Sequence, residues 1–118
     1  MGARLAELDV TEPEGGAVVV SVNGEVDDSN ADQLMRAIAE SVPASVGRLI
    51  LDLSDTRYLD SSGVEVIFTL ARDLQARRQA LELVVPEQSG VRRVLELCDI
   101  TSVAPVFATL TEAKGDGT

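Results

Sequence analysis

Two short, densely apolar runs, Leu49-Ile50-Leu51-Asp52-Leu53 and Leu81-Glu82-Leu83-Val84-Val85, bracket a long amphipathic pattern, and they constrain the fold more than any other feature of the chain. Runs of that kind read as strands buried on both faces, the habit of parallel strands. Parallel neighbours need a crossover. Val64, Ile67, Phe68, Ala71 and Leu74 recur at the spacing of one helix face and supply it, with Arg77-Arg78 at the C-terminal end.

The alternation extends in both directions. Upstream, Ala17 to Asn23 puts Val18, Val20 and Val22 on one face of a strand. Ala31, Leu34, Met35, Ile38 and Val42 follow at helical spacing, with Ser29 or Asn30 as the expected cap. Before them, Leu8 and Val10 alternate with Glu7, Asp9 and Thr11, and the turn-rich Thr11–Gly16 stretch predicts a hairpin. Downstream, Val91, Val94, Leu95 and Cys98 mark a further helix, and Val103 to Phe107 a last strand that Pro105 confines to an edge. Thr109-Leu-Thr-Glu112 opens a fourth helix as a capping box. The expected fold class is α/β, with a mixed, mostly parallel sheet of about five strands that begins with a hairpin, and about four helices. No repeat and no long linker divides the chain, so residues 1–118 read as a single domain with a flexible tail from about 114.

Missing residues narrow the chemistry. With no histidine, a Ser-His-Asp triad, a histidine-ligated zinc and a histidine base are all excluded. Cys98 is the only cysteine, so it forms no internal disulfide and no thiolate metal site. At that position it reads as a small buried hydrophobe. A formal net charge of −10 repels phosphate backbones, and three aromatics offer little to stack on bases, which argues against nucleic acid as a partner. No apolar stretch approaches the length of a membrane span, and the start lacks the core of a secretory signal. The expectation is a cytoplasmic protein with no membrane partner, no cofactor and no metal.

In a parallel sheet, sites collect at the carboxyl ends of strands. Three loops gather there: Gly24 to Ser29, Ser54 to Ser62, and Pro86 to Ser89. The middle loop carries Tyr58-Leu59-Asp60-Ser61-Ser62-Gly63 directly ahead of a helix. Asp and Ser are preferred N-caps, so helix capping is the first reading. The second is that Ser61, or less readily Ser62, accepts a phosphate at the positive end of the helix. One serine can cap while its neighbour faces outward. On the residues alone, Asp27 and Asp28 are the acidic start of a helix before they are a partner contact, and the pairs Arg77-Arg78 and Arg92-Arg93 are solvated helix faces.

The segment Leu49-Ile-Leu-Asp52-Leu53-Ser54, followed by Tyr58-Leu59-Asp60-Ser61-Ser62-Gly63-Val64, resembles the central motif of the bacterial anti-sigma-factor antagonists, single-domain members of the STAS fold. Val22-Asn23-Gly24-Glu25-Val26-Asp27, with Ala31 and Leu34, is similar to their second segment. Arg92 to Leu97 with Asp99-Ile100 resembles the helix and turn before their last strand. The resemblance implies a partner-switching protein that is not an enzyme. When unphosphorylated it would bind an anti-sigma factor that is also a serine kinase with an ATPase fold, and so release the sigma factor in a stress response. Phosphorylation of Ser61 would dissolve the complex, and a serine phosphatase would restore the binding form. The resemblance places Asp27 beside Ser61 at the contact, with Asp60, Ser62 and Gly63 shaping the loop. A phosphoserine brings roughly −1.5 to −2 charges, and a like-charge pair at 4 Å costs about 4 kcal/mol at an effective dielectric of 20. One phosphate is therefore enough for such a switch.

The chain departs from that pattern at Glu65, where a small residue is usual, in the polar Asp55-Thr56-Arg57, and in a short last helix. Glu65 leaves room for an alternative, a non-switching STAS scaffold subunit of a stress-signalling or transporter complex. A receiver domain phosphorylated on Asp52 fits the length and alternation. It lacks the acidic pair after a parallel first strand, and its only lysine, Lys114, lies in the tail. Anion binding by a Gly-rich phosphate loop has no motif here.

Overall fold

The computed structural model describes residues 6–115, and over that range the alternation becomes one sheet with helices on both faces. Strand β1 (Ala6–Val10) turns back through a hairpin into β2 (Ala17–Val26), and the two pair antiparallel from Ala6 opposite Gly24 to Val10 opposite Val20. Helix α1 (Ala31–Glu40) crosses over to β3 (Arg48–Asp52), which runs parallel to the first half of β2. Strand β4 (Thr56–Leu59) follows, then α2 (Ser61–Ala76), β5 (Ala80–Val84), α3 (Gly90–Leu97), a 3-10 turn at Ile100–Ser102, β6 (Val106–Phe107) and α4 (Leu110–Lys114). Strands β3, β5 and β6 are mutually parallel neighbours, in the order β1-β2-β3-β5-β6.

β3 lies at the centre, and Leu49, Ile50 and Leu51 are buried although they alternate faces. Burial on both sides explains why the run is almost uniformly apolar. Val18, Val20, Val22, Leu49, Leu51, Leu81 and Leu83 form one core with the inward stripes of α1, α2 and α3. The other face buries a smaller cluster, Ala17, Val19, Ile50 and Val84, under Ala113 of α4. Arg48 ties that helix down: its guanidinium donates to Glu82 Oε1 at 2.7 Å and to the Ala113 carbonyl at 3.0 Å. Thr109 caps α4 as expected, while Glu112 reaches back one residue beyond the N-cap. Thr109 Oγ1 accepts from Glu112 N, and the Glu112 carboxylate accepts from Ala108 N.

Four readings of the sequence need correction. The stretch from Ser54 to Ser62 is not all loop, because it contains β4, which makes six strands among the described residues. β4 pairs with the far half of β2 and continues the line of β3 after a three-residue turn, so β2 itself runs on to Val26. The polar Thr56 is buried and its hydroxyl donates to the Val22 carbonyl at 2.7 Å, so a strand begins there without an apolar pattern to announce it. Cys98 is exposed, because α3 ends at Leu97 and Asp99 turns the chain through a left-handed conformation at φ 58°. Arg92 is largely buried and donates twice to the Val85 carbonyl, at 2.9 and 3.1 Å, tying α3 to the end of β5. Lys114 is the last residue of α4, with Gly115 as its left-handed cap, and the rest of the tail expected from about 114 lies outside the described residues.

Candidate functional site

The ends of β2 and β4 lie side by side, with Val26 paired to Leu59, and the site is built on this step. Asp60 N donates to the Val26 carbonyl at 3.3 Å, so Asp27 and Ser61 leave the sheet from adjacent strand ends. The register shifts between Gly24 and Glu25, where β4 carries one extra residue, Arg57, and Gly24 stands at φ 118° with its N–H donating to the Asp55 carbonyl at 3.1 Å. Only glycine takes that backbone angle without strain.

Asp60 is the N-cap of α2. Its extended backbone turns the carboxylate under the helix, where Oδ1 accepts from Ser62 N at 2.9 Å and Gly63 N at 3.3 Å. Of the two expected capping residue types, the aspartate does the capping, which leaves the serines free of that role. Ser61 is the first helical residue and is exposed, whereas Ser62 is half-buried. The first free N–H groups of the helix therefore already have an anionic partner. A phosphate on the exposed Ser61 would find the N–H groups of Ser62 and Gly63 already taken by Asp60. Gly63 is buried against the strands: a Cβ there would stand 2.7 Å from Leu59 Cγ and 3.2 Å from Val26 Cγ1. The glycine is what lets the helix start so close to β2 and β4.

Across the corner, Asp27 is held by its own loop. Its Oδ1 accepts from Ser29 Oγ at 2.6 Å and Ser29 N at 2.9 Å, and these two bonds, the hydroxyl first, keep the carboxyl below its ordinary pKa. Asn30 Oδ1 accepts from Asp27 N, and Asn30 Nδ2 donates to the Glu25 carbonyl. Asn30 is the N-cap of α1 by position but makes no side-chain bond to the helix. A groove of about 340 Å³ between α1 and α2 adjoins the corner and is lined by Asp28, Asp32 and Glu65 together with Ser62, Met35 and Val66. None of the three carboxylates is in an ion pair among the described residues.

All five residues singled out in the sequence, Asp27, Asp60, Ser61, Ser62 and Gly63, thus fall at this one corner. The third expected loop is used for capping, with Ser89 Oγ accepting from Val91 N at 3.0 Å. Asp52 is bound up in a turn, its Oδ1 accepting from Ser54 Oγ and Ser54 N. Ser29 and Asn30 had been legible only as a helix cap; their spacing after Asp27 is the Asx-turn signal that pointed to this second use. Among the described residues no group of three or more acidic or cysteine side chains is placed to hold a metal ion. No described helix is long and apolar enough to cross a membrane.

Comparison with known proteins agrees with this layout. The STAS domain profile matches residues 8–113. The chain is 34% identical to BtrV of Bordetella bronchiseptica over 92 residues, which is 77% of this chain and 78% of BtrV. It is 32% identical over 99 residues to the anti-sigma-F factor antagonist RsfB of Mycobacterium tuberculosis, 83% of this chain and 79% of that one. The crystal structure of an anti-sigma factor antagonist from Mycobacterium paratuberculosis superposes with a TM-score of 0.82 at 29% identity, covering 94% of this chain and 92% of that one.

Proposed function

The chain belongs to the STAS domain family, and from that premise we propose that it is an anti-sigma-factor antagonist switched off by phosphorylation of Ser61. The observation that carries the reading is the state of Ser61: exposed, first in its helix, and relieved of capping by Asp60. In the unphosphorylated form the corner made by Asp27, Asp60, Ser61, Ser62 and Gly63 docks on an anti-sigma factor that is also a serine kinase with an ATPase fold. The sigma factor is thereby set free. A kinase brings its own catalytic base, so the absence of histidine from this chain is no obstacle.

The chemistry of release follows from the same corner. A phosphoryl group on the Ser61 oxygen adds roughly −1.5 to −2 charges at a surface that must be desolvated on docking. Asp60 already holds the N–H groups of Ser62 and Gly63, and Glu65 stands one helical turn away on the same side. With those two N–H groups taken and Glu65 close by, the phosphate charge falls on the interface. A serine phosphatase that removes it returns the chain to the binding form.

Affinity capture from native lysate tests the reading, with wild type, Ser61→Ala and Ser61→Glu as baits. Wild type and Ser61→Ala should retain an ATPase-domain kinase that Ser61→Glu loses. Equal recovery on all three would make Ser61 only the first residue of a helix and the protein a non-switching scaffold.

A further inference from the structure

The loop after β2 ends in two polar side chains, Ser29 and Asn30, at the start of a helix, yet neither caps it. They are spent on Asp27 instead. Ser29 places both its hydroxyl and its N–H on one carboxylate oxygen, Oδ1, at 2.6 and 2.9 Å. Asn30 fixes the backbone on either side, accepting from Asp27 N at 3.0 Å and donating to the Glu25 carbonyl at 2.9 Å. Oδ2 of Asp27 has no hydrogen bond among the described residues. An unrestrained carboxylate at a surface samples several rotamers, and a partner that needs one of them must order it on binding. Here that ordering is already done within the free protein.

We propose that Ser29 is a positioning residue for the partner contact at Asp27, pinning one carboxylate oxygen so that the other is presented outward. The proposal rests on the reading that Asp27 touches the partner. Ser29 itself need not touch it. Two consequences follow. Removing the hydroxyl weakens binding only while Asp27 is a carboxylate, and threonine, which keeps the hydroxyl, substitutes for serine. The carboxyl also loses the first of the bonds that hold its pKa down, so it titrates at higher pH in Ser29→Ala. Glu25 at the end of β2, Asp28 on the same loop, Asp60 at the α2 cap, and Asp32 and Glu65 in the adjoining groove are the other carboxylates around it, so the titration must be followed at the Asp27 carboxyl carbon itself.

The test uses the full chain and, as probe, the purified ATPase-domain kinase retained in the capture experiment. Affinities are measured for wild type, Ser29→Ala, Ser29→Thr, Asp27→Asn and the double variant Asp27→Asn/Ser29→Ala, with carbon-13 titration of Asp27 in wild type and Ser29→Ala. The expected result is an approximately tenfold loss in Ser29→Ala, the weight of one hydrogen bond to a charged group. Ser29→Thr should recover it, the double variant should bind like Asp27→Asn, and the Asp27 titration should move up in Ser29→Ala. A weakened Asp27→Asn beside an unaltered Ser29→Ala would overturn the positioning role alone. So would equal losses from Ser29→Ala in both backgrounds, since Ser29 would then meet the partner directly. An unaltered Asp27→Asn would overturn the contact reading, and the proposal with it.

Discussion

Gly63 is a glycine for want of space. With Leu59 Cγ 2.7 Å from where its Cβ would be, Gly63→Ala forces Leu59 or the helix start to move. Overpacking of this kind costs about 1–3 kcal/mol, which a denaturant melt would report as a lower midpoint at unchanged slope. Asp60→Ala removes the acceptor of two helix N–H groups and should cost about 1 kcal/mol, whereas Asp60→Asn keeps an acceptor and should cost much less. Both variants leave the Ser61 hydroxyl in place, so stability and phosphorylation can be scored separately. Asp27 adds a pH dependence. Its folded-state pKa lies below the unfolded one, so its turn contributes stability above the unfolded pKa, and that contribution is lost as pH falls through the folded pKa. The Ser29 amide proton should shift in an acid titration at lower pH than an unperturbed aspartate would dictate. A midpoint at the ordinary aspartate value would contradict the pairing.

At the scale of elements, the sequence was most legible where burial acts through periodicity. The uniform apolar runs at 49–53 and 81–85 and the helical stripe from Val64 to Leu74 appear as β3, β5 and α2 because each buries the side its pattern presents. β4 escaped for the opposite reason. Thr56 is buried through a hydrogen bond instead of an apolar side chain, and Arg57 and Tyr58 face solvent. Cys98 and Arg92 were misread because helical spacing does not say where a helix stops, nor that a guanidinium can turn back onto a strand-end carbonyl. The corner itself was legible as residue types but not as roles: which group caps and which stands free depends on backbone angles at Asp60 that no spacing reveals. Glu65 brings a prediction at this scale. At i+4 from Ser61 in a continuous helix, it faces any phosphate placed there. In protein phosphorylated at Ser61, Glu65→Gln should lower the second phosphate pKa by about 0.2 to 0.4, read by phosphorus-31 titration. An unaltered value would place Glu65 out of reach of the phosphate.

The whole molecule carries a net charge of −10, and its candidate contact corner carries acidic side chains from α1, α2 and both loops. A partner face complementary to it is basic, and encounter between the two is steered by charge. Raising ionic strength should therefore slow association by about tenfold between low and physiological salt while leaving dissociation nearly unaltered. An association rate insensitive to salt would mean the acidic corner lies outside the contact. The helices on one face and α4 on the other leave that corner projecting at the carboxyl ends of the strands, held rigid by the Val26–Leu59 pairing and the Gly63 contact. A rigid corner suits a switch that works through added charge without refolding. The most direct measurement is the dissociation constant of the purified partner kinase for this chain with Ser61 unmodified and with Ser61 stoichiometrically phosphorylated. The account predicts that the phosphorylated chain binds at least tenfold more weakly. Equal affinities for the two forms would contradict it.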